Sequence, residues 1–261
     1  MNILEKIIET KQEEILALKS SVSLQALRKR AEEAEPVRGF LRRLQKDAKP
    51  IALIGEVKKA SPSRGVLVEH FDVAQIATNY ERGGASCLSV LTDERYFQGS
   101  LENLKQAKKV TNLPILRKDF LIDEIQILES RAESADAILL IVAAFEDYNK
   151  MKALHDLALQ LGMDVLVEVH TEKEMEIAAN LEARLIGINN RDLTTFSTDL
   201  ETSVRLAKVA PPKAFLVSES AIWTREDVEK LSEAGIKAVL VGESLMTKSD
   251  IAQGVRELLG K

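Results

Sequence analysis

Ile51-Ala52-Leu53-Ile54-Gly55-Glu56-Val57-Lys58-Lys59-Ala60-Ser61-Pro62-Ser63 is where the character of the chain changes. A short apolar run reads as a buried strand, and Gly or Pro soon afterwards marks its end. Residues two apart on a strand face the same way, so Glu56 and Lys58 project together from its terminus. A carboxylate and an ammonium are tolerated in a core only when they are paired or put to use. Working outward, the same design recurs. Apolar runs lie at 51–57, 86–91, 114–118, 137–142, 164–169, 185–189, 214–219 and 238–242, and longer amphipathic stretches such as 72–82, 101–110, 148–161, 172–181 and 225–234 separate them. Strand alternating with helix is the pattern of a parallel sheet covered by helices. Eight such units in about 210 residues predict an α/β fold, a closed (β/α)8 TIM barrel. The rival is a doubly wound open sheet, and it is disfavoured because no Gly-x-Gly-x-x-Gly follows the first run.

Before Ile51 the period is helical. Ile3, Leu4, Ile7, Ile8, Ile15 and Leu18 recur at helix spacing, and two further helical stretches, 23–34 and 38–46, flank Pro36. Residues 1–50 are therefore expected to form a helical N-terminal extension of one barrel domain spanning 1–261. The first of these helices is expected either to cover the barrel or to meet a partner, and a monomer is the favoured state.

The chain has 261 residues, 45% of them hydrophobic and 30% charged, with a formal net charge of -5. No basic excess exists to hold a phosphate backbone, which argues against a nucleic-acid role; an anionic ligand must be held by local positive charge. The single cysteine, Cys87, sits inside an apolar run and reads as a small buried hydrophobe. With no intramolecular disulfide, no signal peptide at Met1–Lys6 and no apolar stretch of about 18 residues, the expected location is the cytoplasm, away from membranes. His70, His155 and His170 do not cluster by spacing, so no metal site is expected.

The strand ends carry the functional signal, because the active site of such barrels lies at the C-terminal ends of the strands. The first run ends in Glu56 and Lys58, the third in Lys118, the fifth in Glu168, the sixth in Asn189 and Arg191, and the seventh in Glu219. Alternation puts Leu116 with Lys118, Leu166 with Glu168 and Val217 with Glu219 on the interior face. Three carboxylates and two ammonium groups meeting at one mouth shift each other's proton affinities and suit paired general acid and base work. Phosphate is often held by the loops after strands seven and eight; these are Ser220-Ala221-Ile222 and Gly242-Glu243-Ser244-Leu245-Met246. Ser61-Pro62-Ser63-Arg64-Gly65 reads as a connector placed to close over the mouth, Phe97 and Phe120 as core aromatics, and Trp223 as a packing residue. On the residues alone, a Schiff-base aldolase with Lys118 as nucleophile and a non-catalytic binding protein remain open.

Taken together, Glu56-Val57-Lys58-Lys59-Ala60-Ser61-Pro62-Ser63, Ser86-Cys87-Leu88-Ser89-Val90-Leu91-Thr92-Asp93, Phe97-Gln98-Gly99-Ser100, Leu116-Arg117-Lys118-Asp119-Phe120, Gly187-Ile188-Asn189-Asn190-Arg191-Asp192-Leu193 and Val241-Gly242-Glu243-Ser244-Leu245-Met246 resemble the indole-3-glycerol-phosphate synthase family over essentially the whole chain. The resemblance implies the barrel with its helical extension. It also implies a carboxy-lyase that closes the indole ring of 1-(2-carboxyphenylamino)-1-deoxyribulose 5-phosphate in tryptophan biosynthesis, with loss of carbon dioxide and water and no metal or organic cofactor. By the same resemblance Lys118 is the general acid for ring closure, Glu168 the base, and Lys58 an anion-binding lysine that also serves in dehydration. Glu56, Asn189 and Glu219 orient substrate and tune the lysines. Ser61 and Arg191 lie around the substrate carboxylate and the mouth, and Phe97, Phe120 and Leu193 form the slot for the anthranilate ring. Ser220, Ala221, Gly242 and Glu243 belong to the phosphate loops, with Glu243 expected to turn only its backbone to the ligand. One departure stands out: the family usually has glycine after Glu219-Ser220, where this chain has Ala221. A positive φ there makes alanine unfavourable by roughly 1 kcal/mol.

Overall fold

The computed structural model describes residues 2–48, 50–192 and 195–261. The eight apolar runs form eight strands: β1 (Ala52–Val57), β2 (Cys87–Leu91), β3 (Ile115–Lys118), β4 (Ala137–Ile141), β5 (Asp164–Val169), β6 (Leu185–Asn189), β7 (Phe215–Glu219) and β8 (Ala238–Val241). Each pairs in parallel with the next, and β8 closes on β1 through Ala52 opposite Ala238 and Gly55 opposite Val241. The sheet is a closed barrel, so the open-sheet alternative is excluded. Nearly every strand residue is buried, as a parallel sheet covered on both faces requires.

Period two divides the strands into two apolar sets. Leu53, Leu88, Val90, Ile138, Val167, Ile186 and Val239 face outward into a layer shared with the surrounding helices. Ile54, Cys87, Leu116, Leu139, Leu166, Val217 and Leu240 face inward. Cys87 is fully buried in that inner set, as a small apolar filler, and burial pushes its thiol pKa well up.

The extension has three helices, α1 (Ile3–Ser21), α2 (Leu24–Glu33) and α3 (Phe40–Asp47). Asn2 and Glu5 form a reciprocal capping box that starts α1. Helix α3 closes the end of the barrel where the strands begin: Phe40, Leu41 and Leu44 pack on Ala52, Leu185 and Phe215. Two carboxylates at strand starts fix its entry, Asp136 accepting from the Arg38 amide at 2.6 Å and Asp164 from the Leu41 amide at 2.9 Å. The cavity described below lies at the opposite end, where the strands finish. There Ile3, Leu4 and Ile7 of α1 line the opening, so this helix covers the barrel. Among the described residues, no helix is long and apolar enough to cross a membrane.

Candidate active site

The inward face changes from apolar to ionisable at the C-terminal ends of four strands. Glu56 follows Ile54, Lys118 follows Leu116, Glu168 follows Leu166 and Glu219 follows Val217, and all four line one cavity of about 440 Å³. Lys118 stands at the centre, its Nζ 3.3 Å from Glu219 Oε2, 3.6 Å from Glu56 Oε1 and 3.9 Å from Glu168 Oε2. Lys58 Nζ donates to Glu56 Oε2 at 2.5 Å, so one carboxylate bridges both ammonium groups. The strand-end residues from β1, β3, β5, β6 and β7 thus meet around one small volume.

Asn189 is locked by its surroundings. Its Oδ1 accepts from the Arg191 amide at 3.0 Å and the Ser220 hydroxyl at 2.9 Å, which leaves the amide nitrogen to donate to Glu168 Oε1 at 3.2 Å. Next to it, Asn190 turns out of the barrel, donates to Ser218 Oγ and to the Ser220 carbonyl, and accepts from Ser203. The loop after β7 is therefore held from both faces of β6.

The electrostatics follow from this convergence. Burial works against the charged form of Lys118, but Glu219, Glu56 and Glu168 outweigh it and hold its pKa well above that of an ordinary lysine. Burial also opposes ionisation of Glu56, yet Lys58 and Lys118 bring its pKa below the usual range. Glu219 goes the other way. Burial, followed by repulsion from Glu168 and Glu56, exceeds the help from Lys118 and pushes it up to about 7. Both of its oxygens are buried without a hydrogen-bond partner among the described residues. The site holds a firmly protonated lysine, an ionised acid beside it and a second carboxyl whose pKa is pushed up to about 7.

Around this centre the loops build a rim. The stretch after β1 is a short hairpin, Ala60–Ser61 against Gly65–Val66, and Ser61 and Arg64 line the opening. Arg64 Nε donates to Glu243 Oε1 at 2.6 Å, and Arg191 Nη2 lies 3.5 Å from Glu243 Oε2. The Glu243 side chain thus spends itself on two arginines. The Ser244 hydroxyl donates to the Ile222 carbonyl at 2.8 Å, tying the loop after β8 to the loop after β7. Phe97 and Phe120 face each other across the cavity wall, centroids 6.1 Å apart and planes tilted by 37°. They line the cavity, and so does Trp223, which is 49% exposed and corrects its expected role as a packing residue. Leu193 lies outside the described residues.

A family model for indole-3-glycerol phosphate synthase matches residues 4–258. The chain belongs to that family. It is 47% identical over 258 residues to the indole-3-glycerol phosphate synthase of Koribacter versatilis, covering 98% of each chain. It is 49% identical over 247 residues to that of Burkholderia ambifaria, covering 94% of each. Among solved structures, a 3-hexulose-6-phosphate synthase superposes with a TM-score of 0.63 at 13% identity, covering 80% of this chain and 99% of that one. A thiamine phosphate pyrophosphorylase from Pyrococcus furiosus does so at 0.61 and 14% identity, covering 82% and 96%. These two likenesses show the barrel alone.

As a member of the indole-3-glycerol-phosphate synthase family, the chain carries site features that its sequence did not single out. His170 follows Glu168 by two residues and so shares its face; its Nε2 lies 3.4 Å from Glu168 Oε1 while Nδ1 meets Glu174 at 3.2 Å. Burial lowers its pKa, but Glu174, Glu168 and Glu219 more than reverse this. Gly187 makes room for an acid: a Cβ there would fall on Glu219 Oε1. Gly187→Ala is expected to keep the fold but push the Glu219 carboxylate aside, lowering kcat about 10²-fold, the scale of a misplacement of about 1 Å; steady-state kinetics with a matched circular dichroism spectrum checks it.

Ala221 does adopt positive φ, at 60°, directly after Ser220 at 66°. Two successive L-residues in the left-handed region are strained by roughly 1 kcal/mol each. Ala221→Gly is expected to raise the thermal midpoint by about 2 °C by relieving one of them. A scanning-calorimetry midpoint that stays or falls contradicts the strain.

Proposed function

We propose that the residues of this site divide the work of indole-3-glycerol-phosphate synthesis as follows. The aryl ring of 1-(2-carboxyphenylamino)-1-deoxyribulose 5-phosphate lies against Phe97 and Phe120, and its phosphate meets the Ser220–Ala221 and Gly242–Glu243 backbones. Lys58 and Arg191 attract the substrate's negative charges at the mouth, with Ser61 beside them.

Ring closure comes first. The ring carbon that bears the carboxylate attacks the ketone carbon, and the carbonyl oxygen takes a proton from Lys118. The bond to the carboxylate then breaks, its electrons restore the aromatic ring, and carbon dioxide leaves. In dehydration the new hydroxyl departs as water with a proton from Lys58, and Glu168 removes a proton from the carbon beside the nitrogen. Two protons are delivered and one is taken back, so one proton enters from solvent per turnover, matching the loss of a carboxylate as neutral carbon dioxide. Glu56 and Glu219 hold the two lysines, and Asn189 aims Glu168.

The observation that carries this reading is the central Lys118 ammonium in reach of three carboxylates from three strands. A Schiff-base role for Lys118 sits poorly with it, because an amine nucleophile must be unprotonated and these acids hold its proton. We further propose a cytoplasmic monomer that meets no nucleic acid, in keeping with the net charge of -5 and the single buried thiol. Continuous fluorescence of indole formation tests the roles. The wild type should turn over without added metal, and borohydride should trap no adduct on Lys118. A trapped adduct would overturn the acid assignment.

A further inference from the structure

We infer that Lys11, on the covering helix α1, is a positioning residue for the aryl slot: one buried ammonium sets the two loops that present Phe97 and Phe120. The inference rests on the proposed slot reading and extends it to a residue 80 positions or more away in sequence.

Lys11 is only 2% exposed although it lies on a helix of the extension. Its ammonium meets three carboxylates, Asp93 Oδ2 at 2.8 Å, Asp119 Oδ1 at 2.9 Å and Glu14 Oε2 at 2.8 Å. The ammonium donates a hydrogen bond to Glu14 and forms ion pairs with Asp93 and Asp119. Two of those partners are the acids that shape the slot. Asp93 follows β2, is fully buried, and uses Oδ1 to accept from the amides of Tyr96 at 2.7 Å and Phe97 at 3.1 Å. Its Oδ2 has no hydrogen-bond partner among the described residues other than this ion pair. Asp119 follows Lys118 directly; its Oδ1 accepts from the Phe120 amide at 2.8 Å and its Oδ2 from the Thr92 hydroxyl at 2.6 Å. One cation thus pairs with two carboxylates, each of which holds the backbone of one aromatic residue of the slot, Phe97 or Phe120. The compact ammonium suits three divergent acceptors in a way that a planar guanidinium does not.

The charge states agree with this geometry. Burial opposes the Lys11 charge, but Asp119 and Asp93 more than compensate and raise its pKa. Burial likewise opposes ionisation of Asp119, which Arg117 and Lys11 reverse. Removing a single partner from such a cluster strands buried charge. A loose Asp93 or Asp119 then lets Phe97 and Phe120 drift apart while leaving the loops after β7 and β8 untouched.

The experiment compares two probes, indole-3-glycerol phosphate and glycerol 3-phosphate, in equilibrium binding to the full-length chain. In Lys11→Met the first should bind at least tenfold more weakly and the second within about twofold of wild type, with KM rising more than kcat falls. Ile15→Ala, a change on the same helix in the packing between α1, α2 and the helix Glu124–Ala132, should lower stability and leave both affinities alone. If Lys11→Met is not recovered folded, Asp93→Asn and Asp119→Asn read the same link from its other end. Each keeps an oxygen for the aromatic amides and loses the charge that Lys11 holds, and each should weaken the indole probe alone. Equal weakening of both probes, or of neither, overturns the role of Lys11. Phe97→Ala and Phe120→Ala test the slot separately. If they leave indole-3-glycerol phosphate affinity intact, the slot reading falls and the inference with it; if they weaken it and the Lys11 variants do not, only the inference falls.

Discussion

Lys118→Ala is expected to lower kcat by at least about 10²-fold, the usual scale for a general acid, with the protein still folded. Two effects add. On the proposed mechanism, the proton that the ketone oxygen receives in the closing step no longer has a donor at the centre of the cavity. The three acids that shared the ammonium, at 3.3, 3.6 and 3.9 Å, are also left facing one another. Like-charged carboxylates in one buried site raise each other's pKa, so the variant holds protons on acids where the wild type holds one on the lysine. Lys118→Arg should not restore activity, because a guanidinium keeps its proton and its planar fork is too large for the same point between three strands. Single-turnover formation of indole fluorescence separates this loss from any change in product release. Turnover near that of the wild type in Lys118→Ala would remove the acid from the mechanism.

The barrel was legible because a parallel strand buried on both faces leaves a short apolar run that few other elements imitate. Period two also carried the candidate site. Glu56, Lys118, Glu168 and Glu219 each follow an inward apolar residue by two positions, and the structure brings them to one cavity. What could not be read obeys no local period. Trp223 sits on a loop, where side-chain direction is set by turns and distant partners, so it looked like a packing residue and yet it lines the cavity; Phe97, also on a loop, read as core on the residues alone and was placed at the slot only by the resemblance. Lys11 looked like one more polar residue between Ile7 and Ile15; its burial is created by Asp93 and Asp119, far along the chain. Gly187 is informative only through Glu219 on the neighbouring strand, since its value lies in the space it leaves. The backbone at Ala221 was legible as a question, because the departure from glycine was visible, and its answer is the φ of 60°.

Glu219→Gln is expected to make the protein more stable at pH 8 and less active, with the gain in stability vanishing in acid. The sign follows from the proton affinity of Glu219, pushed up to about 7 by burial against the help of Lys118. In the unfolded chain an ordinary glutamate titrates near 4.3. Between those values the folded state holds a proton that the unfolded state has released, so stability falls as pH rises through this window and levels off above about 7. Below the unfolded value both states are protonated and the group makes no difference. Glutamine imitates the protonated side chain at every pH, so the variant avoids the ionisation penalty wherever the wild type suffers it. At 1.36 kcal/mol per pKa unit the difference at pH 8 reaches at most about 4 kcal/mol, and coupling to Glu56, Glu168 and Lys118 makes this an upper bound. Urea unfolding at pH 8, 6 and 4.5 should show the variant's advantage shrinking stepwise to nothing. A constant difference across those pH values, or a variant less stable at pH 8, would mean that Lys118 compensates Glu219 in full. An acid kept at the centre of a barrel at the expense of folding is the signature of a site selected for chemistry over stability. The same substitution should therefore lower kcat where it raises the unfolding midpoint.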